Sequence, residues 1–131
     1  MIQYRYTILY VAEVEATLQF YEKAFGFQRR FCTPEGDYAE LQSGETTLAF
    51  AAEALAASNL SKGYVRVNKE KAFGIELGFV VEEVEHAVER VLEAGGTLYE
   101  ATKVKPWGQT VAYVTDCNGF LIELCTAMPS I

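Results

Sequence analysis

The stretch Thr115 to Leu124 reads T-D-C-N-G-F-L-I-E-L and sets one carboxylate, Glu123, inside a run otherwise suited to a buried strand. A carboxylate withdrawn from water is costly, so the position calls for a proton, a hydrogen-bond donor, a cation or retained water. The chemistry available to it is that of an acid: holding a positive charge or moving a proton. Nucleophilic chemistry has little support. Cys32, Cys117 and Cys125 are odd in number and lack any C-x-x-C spacing, so neither a disulfide framework nor a thiolate zinc site is expected. The single histidine, His86, falls off the apolar stripe of a helical pattern and is expected to face solvent, leaving no base beside a thiol. The chain also lacks a G-x-x-x-x-G-K-[ST] loop, a G-x-G-x-x-G turn and a G-x-S-x-G elbow, which removes support for nucleotide binding and serine hydrolysis.

The elements that must position Glu123 follow from pattern. A chain of 131 residues, half of them hydrophobic, is long enough for one domain with a core that needs no staple. No apolar run approaches the roughly 20 residues of a membrane span, and the start lacks the segments of a signal peptide, so a cytoplasmic protein is expected. A net charge of −7 disfavours nucleic acid as a partner and tolerates a cationic ligand.

An offset of 70 aligns V-A-E-V-E-A at 11–16 with V-E-E-V-E-H at 81–86. The match extends to periodicity: Val14, Leu18 and Tyr21 correspond to Val84, Val88 and Val91, an i, i+4, i+7 stripe in each segment. The spacing predicts helices over about 13–25 and 82–94, closed by Gly26 and by Gly95-Gly96. Each follows an apolar strand, Tyr4 to Val11 or Gly74 to Val81, and precedes three more. These are 28–32, 38–42 and 46–51 in the first half, and 97–103, 110–115 and 120–126 in the second. The order β-α-β-β-β therefore occurs twice, in modules of about 1–52 and 73–131. The less regular stretch 53–72 is expected to be a linker, able to act as a flap.

This duplicated chain, with I-L-Y-V-A-E-V-E-A-T-L-Q-F-Y-E-K-A-F-G-F early and D-C-N-G-F-L-I-E-L late, resembles the vicinal oxygen chelate superfamily. That group includes glyoxalase I, extradiol dioxygenases, fosfomycin-resistance transferases and bleomycin-resistance binding proteins. The resemblance spans about Tyr4 to Ala127 and implies an α+β fold in which two modules form a curved, incompletely closed eight-stranded sheet around a cup. It specifies no reaction, because one fold hosts many chemistries. The family's four inward-facing ligand positions fall on Tyr6, Ala49, Glu76 and Glu123. Glu76 and Glu123 are thus the candidate catalytic residues and candidate ligands for a divalent ion. Without imidazole they suit Mg²⁺ or Mn²⁺ better than zinc.

Alternation in Y-R-Y-T-I-L-Y-V sends Tyr4, Tyr6, Ile8 and Tyr10 to one face, and the last strand sends Leu121, Glu123 and Cys125 inward. Tyr6 and Tyr10 are therefore candidate ligand contacts, and the resemblance adds Ala49. Trp107 and Gln109, in the turn K-P-W-G-Q-T, are candidates at a rim. The competing structural account pairs Glu76 with Arg5 or Arg66, and gives Glu123 a tyrosine hydroxyl or a backbone N–H. The expected function is small-molecule binding, sequestering a cationic aromatic compound in the manner of the bleomycin-resistance proteins. The alternative is a metal-dependent lyase, isomerase or dioxygenase acting on a small oxygenated substrate. A homodimer is the expected assembly.

Overall fold

Apolar residues on alternate positions of a strand can be buried only if something covers that face, and in this chain a long amphipathic helix packs on each of two sheets. The computed structural model describes residues 1–128. The chain divides into two compact units, Met1–Arg66 and from Val67 on.

The first module runs β1 (Tyr6–Val11), α1 (Val14–Phe25), β2 (Gln28–Cys32), β3 (Tyr38–Ser43), β4 (Thr46–Ala52) and a short α2 (Glu53–Asn59). Its sheet has the order β1-β4-β3-β2, with β1 parallel to β4 and the remaining pairs antiparallel. Leu9, Val11, Ala39, Leu41, Leu48 and Phe50 are buried in this sheet, and α1, which packs on β3 and β4, buries Val14, Thr17, Leu18, Tyr21 and Ala24. Tyr21 lies at the centre of that layer, with ring contacts to Phe20, Phe25, Phe27 and Phe50.

The second module runs β5 (Leu77–Val80), α3 (Val84–Ala94), β6 (Thr97–Val104), β7 (Thr110–Thr115) and β8 (Leu121–Cys125), with sheet order β5-β8-β7-β6. Val84, Ala87, Val88 and Val91 form the buried face of α3, which packs on β6, β7 and β8. Both long helices begin at a glutamate that offers no side-chain cap and end at a left-handed glycine, Gly26 or Gly95. The repeated β-α-β-β-β order and the α+β class therefore hold, with the eight strands hydrogen-bonded as two open four-stranded sheets. No helix among the described residues is long and apolar enough to cross a membrane.

Boundaries shift where a ladder partner runs out. The first strand starts at Tyr6 rather than Tyr4, because pairing begins at Tyr6 with Thr47, just beyond the turn at Gly44. The strand before α3 starts at Leu77 rather than Gly74, opposite Ile122, so Glu76 lies just outside it. Within 53–72 the sequence E-A-L-A-A-S-N forms α2, packed on β4 and β1. Seven residues rich in alanine carry helix propensity but too short a stripe to signal it.

The turn before β8 is tightly specified. The Asp116 side chain is buried, and its Oδ1 accepts the backbone N–H of Asn118, Gly119 and Phe120 at 2.8, 2.9 and 2.9 Å. Gly119 has φ +109°, and a Cβ there would come within 2.8 Å of the Asn68 carbonyl oxygen. Backbone strain and a backbone clash therefore both select glycine, whereas Gly78 has an ordinary φ and open space around it. Gly119→Ala is expected to destabilise the protein by about 2–4 kcal/mol, and Gly78→Ala to change stability by less than about 1 kcal/mol, as measured by urea unfolding.

Candidate functional site

In each sheet the residues not claimed by the helix point to the opposite, open face. On β8 that face receives Leu121, Glu123 and Cys125, since Ile122 and Leu124 are fully buried. Glu123 lies in the middle strand of three, with Gly78 of β5 and Tyr113 of β7 as its cross-strand partners. The Tyr113 hydroxyl donates to Glu123 Oε2 at 3.0 Å. Gly78 contributes no side chain, so the space beside Glu123 stays open on that flank. Glu76, two residues before Gly78, shares its side of the sheet, and its carboxyl lies within hydrogen-bonding reach of Glu123. The structure therefore brings the two acids together within the second module.

The electrostatics follow from that geometry. Loss of solvent is the main cause that raises the Glu76 pKa, with the charge of Glu123 and the hydrogen bond between the two carboxyls adding to it. Because Glu76 remains exposed on the surface of this chain, the desolvation is partial and its energetic effect is small. Two neighbouring carboxylates repel each other, so a proton on Glu76 or a cation beside it is favoured. Tyr113 is pushed up to about 12, first by its hydrogen bond to Glu123 and then by burial, and keeps its proton at neutral pH. Cys125 is pushed up to about 11 by burial, then by the Glu123 carboxyl, and its Sγ lies 3.7 Å from the Phe79 carbonyl oxygen. A thiol so placed is little ionised at neutral pH, and the thiolate is the nucleophilic form.

The two arginines weighed as partners for Glu76 each have a partner within the first module. Arg66 forms a two-point ion pair with Glu53, and Arg5 donates from Nη1 to Gln3 Oε1 at 3.2 Å. For Glu123 the tyrosine hydroxyl anticipated from sequence is that of Tyr113. His86 is exposed on α3. Trp107 is 55% exposed at the β6–β7 hairpin tip, where its Nε1 donates to Gln109 Oε1 at 2.7 Å, and Gln109 Nε2 donates to the Thr126 carbonyl at 2.9 Å.

The open face of the first sheet carries Tyr6, Ile8 and Tyr10 from β1, set against Thr47, Ala49 and Ala51 of β4. Ala49 has no accessible surface, being small and covered by its neighbours. Beside it lies a cluster that the sequence reasoning missed. The Tyr38 hydroxyl donates to Glu40 Oε2 at 2.8 Å, Arg30 Nε lies 4.0 Å from Glu40 Oε1, and Arg30 Nη1 donates to Thr47 Oγ1 at 3.3 Å. Burial, then the bond to Glu40, raises the Tyr38 pKa. Each module thus has a carboxylate–phenol pair on its open face. Glu40 is the cross-strand partner of Ala49, as Tyr113 is of Glu123, so the acid occupies the neighbouring strand in the first module. The alternation in Y-A-E-L could have placed Tyr38 and Glu40 on one face, but Arg30 is brought beside Glu40 only by the β2–β3 register, which sets Arg29 opposite Leu41.

Among the described residues no group of three or more His, Cys, Asp or Glu side chains could hold a metal ion. Of the groups here only the two carboxylates suit a hard ion, so Mg²⁺ or Mn²⁺ would need water or ligand oxygens for the rest of its shell.

With this geometry in view, comparison with known proteins fixes the class. A family model for the Glyoxalase/Bleomycin resistance protein/Dioxygenase superfamily matches residues 3–124. The chain belongs to that superfamily. Among solved structures, a hypothetical protein of S. aureus has a TM-score of 0.80 at 27% identity, covering 97% of this chain and 95% of its own. A glyoxalase-related enzyme from Fulvimarina pelagi has a TM-score of 0.79 at 22% identity, with coverages of 97% and 89%. TioX from Micromonospora sp. ML1 has a TM-score of 0.70 at 17% identity, with coverages of 95% and 98%. Identities below a quarter speak for the fold alone. No match was found among curated proteins.

An acid whose folded-state pKa is raised holds its proton more tightly folded than unfolded. Its contribution to stability is therefore complete below the ordinary value of 4.5 and is lost as pH climbs through the raised value. Glu76→Gln is expected to remove that loss, flattening the melting temperature against pH above 4.5 and raising it at pH 7 by about 2 °C, as read by calorimetry from pH 4 to 8.

Proposed function

We propose that this chain is a small-molecule-binding member of its superfamily that sequesters a cationic aromatic compound, in the manner of the bleomycin-resistance proteins. In this reading the Glu76–Glu123 pair takes the positive end of the ligand and the Tyr113 ring flanks it. The observation that supports it is the convergence of two carboxyls, Glu76 and Glu123, on one open sheet face of the second module. A protonated amine or quaternary nitrogen replaces the proton on Glu76 and relieves the repulsion between the acids, so the ligand's charge is matched by groups already in place. The chain's net charge of −7 adds long-range attraction for cations. Trp107 and Gln109, at the hairpin tip of the same module, are the further candidate contacts in this reading.

The second reading, a metal-dependent lyase or isomerase, draws on the same two carboxylates. It requires a divalent ion whose other ligands come from water or from the substrate's vicinal oxygens. The metal, if used, is Mg²⁺ or Mn²⁺ by donor hardness.

Titration of ethidium against neutral and anionic dyes of similar shape tests the first reading, followed by fluorescence and calorimetry. Ethidium is expected to bind preferentially, with affinity falling as salt rises, and Glu123→Gln to weaken it about tenfold to a hundredfold. Equal binding of all three dyes, or an unchanged affinity in Glu123→Gln, refutes the cation-binding role. Stoichiometric Mn²⁺ retained by the wild type and lost in Glu123→Gln favours the second reading instead.

A further inference from the structure

The first module holds a concavity apart from the acid pair. A cleft of about 470 Å³ lies between α2 and the segment 60–66 that follows it. That volume falls in the range of roughly 300–1,000 Å³ typical of small-ligand sites. Its floor is built from Ala54 and Ala57 of α2, where a surface helix would ordinarily carry long polar side chains. Short side chains there leave a trough instead of a filled surface.

The opposite wall is fixed by the turn that brings the chain back. Gly63, with φ +71°, closes a bond from its N–H to the Leu60 carbonyl at 2.9 Å. Tyr64 then lines the cleft, and its ring meets Tyr10 edge to face with centroids 4.8 Å apart, which holds it in place. At one end Arg66 donates from Nε to Glu53 Oε2 at 3.0 Å and from Nη2 to Glu53 Oε1. This side-on grip orients the guanidinium and neutralises Glu53, yet it uses only one edge of the fork. The two N–H groups of Nη1 remain on the edge turned away from Glu53, and the Arg66 side chain is 70% exposed.

An apolar floor, an anchored aromatic wall and a pre-oriented pair of cationic donors are the parts needed to hold a flat ring that carries an anion. We propose that this cleft is a binding site for a small aromatic carboxylate, with its ring between the α2 alanines and Tyr64 and its carboxylate on Nη1 of Arg66. The site is independent of the Glu76–Glu123 pair and selects the opposite ligand charge.

The test is a titration of benzoate into the full chain labelled with ¹⁵N, with benzamidine as the charge control. Saturable shifts at Ala54, Ala57, Gly63, Tyr64 and Arg66 are expected with benzoate, and binding at least tenfold weaker with benzamidine. Arg66→Gln should weaken benzoate at least tenfold. Ala57→Leu, which fills the trough and leaves the Glu53–Arg66 pair intact, should abolish the shifts with no change in ethidium binding. The proposal is overturned by equal affinity for benzoate and benzamidine, by benzoate affinity unchanged in either variant, or by no saturable shift at these residues up to tens of millimolar benzoate.

Discussion

A sheet face sealed by a long amphipathic helix is the constraint on which each module depends. A four-stranded sheet has two faces, and α1 or α3 can seal only one of them against water. Leu9, Val11, Leu41, Leu48 and Phe50 in the first module, and Val114, Ile122 and Leu124 in the second, are committed to the sealed side. Because side chains alternate along a strand, the intervening residues have no choice of direction. Tyr6, Tyr38 and Glu40 in one module, and Tyr113 and Glu123 in the other, reach the open face as a consequence of the core. A slip of one residue in β8 would drive Glu123 into the apolar layer, so the same packing that stabilises the module also sets the register of its acid.

The turn before β8 enforces that register locally. Asp116 binds three successive N–H groups, and Gly119 accepts both a left-handed φ and the close approach of Asn68. These contacts fix where the strand begins, and Glu123 follows four residues after Gly119 opposite Tyr113 and Gly78. The absence of a side chain at Gly78 leaves room beside the carboxyl, and the Tyr113 phenol satisfies one of its oxygens. Glu76 then adds a second acid close enough that the charge of Glu123 helps to raise its pKa. The sheet gives Glu123 rigid support, because its strand is hydrogen-bonded on both sides.

The two modules repeat their architecture without repeating their chemistry. Each has a phenol bonded to a carboxylate on the open face, but Glu40 stands on β3 beside a buried alanine, with Arg30 nearby, whereas Glu123 stands on β8 facing another acid. The helix stripe, the terminal glycines and the strand order recur in both modules, and all of them serve the core. The residues on the open faces differ between the modules. Membership of a superfamily spanning glyoxalases, resistance proteins and dioxygenases is consistent with that difference.

The sequence by itself determined the β-α-β-β-β order, the helix faces, the glycine stops and the side of β8 on which Glu123 emerges, because these depend on periods of 3.6 and 2 that local residues impose. It also showed His86 facing outward and Trp107 exposed in its turn. The ends of β1 and β5 could not be read, since a strand ends where its partner does and that partner is about 40 residues distant. Helix α2, the Arg66–Glu53 pair and the cleft they border depend on how a short alanine-rich segment packs on β4 and β1. The nearness of Glu76 to Glu123, and of Arg30 to Glu40, was likewise a matter for the tertiary structure. Charged side chains far apart in sequence acquire each other as neighbours only once strand pairing has set the distances between them.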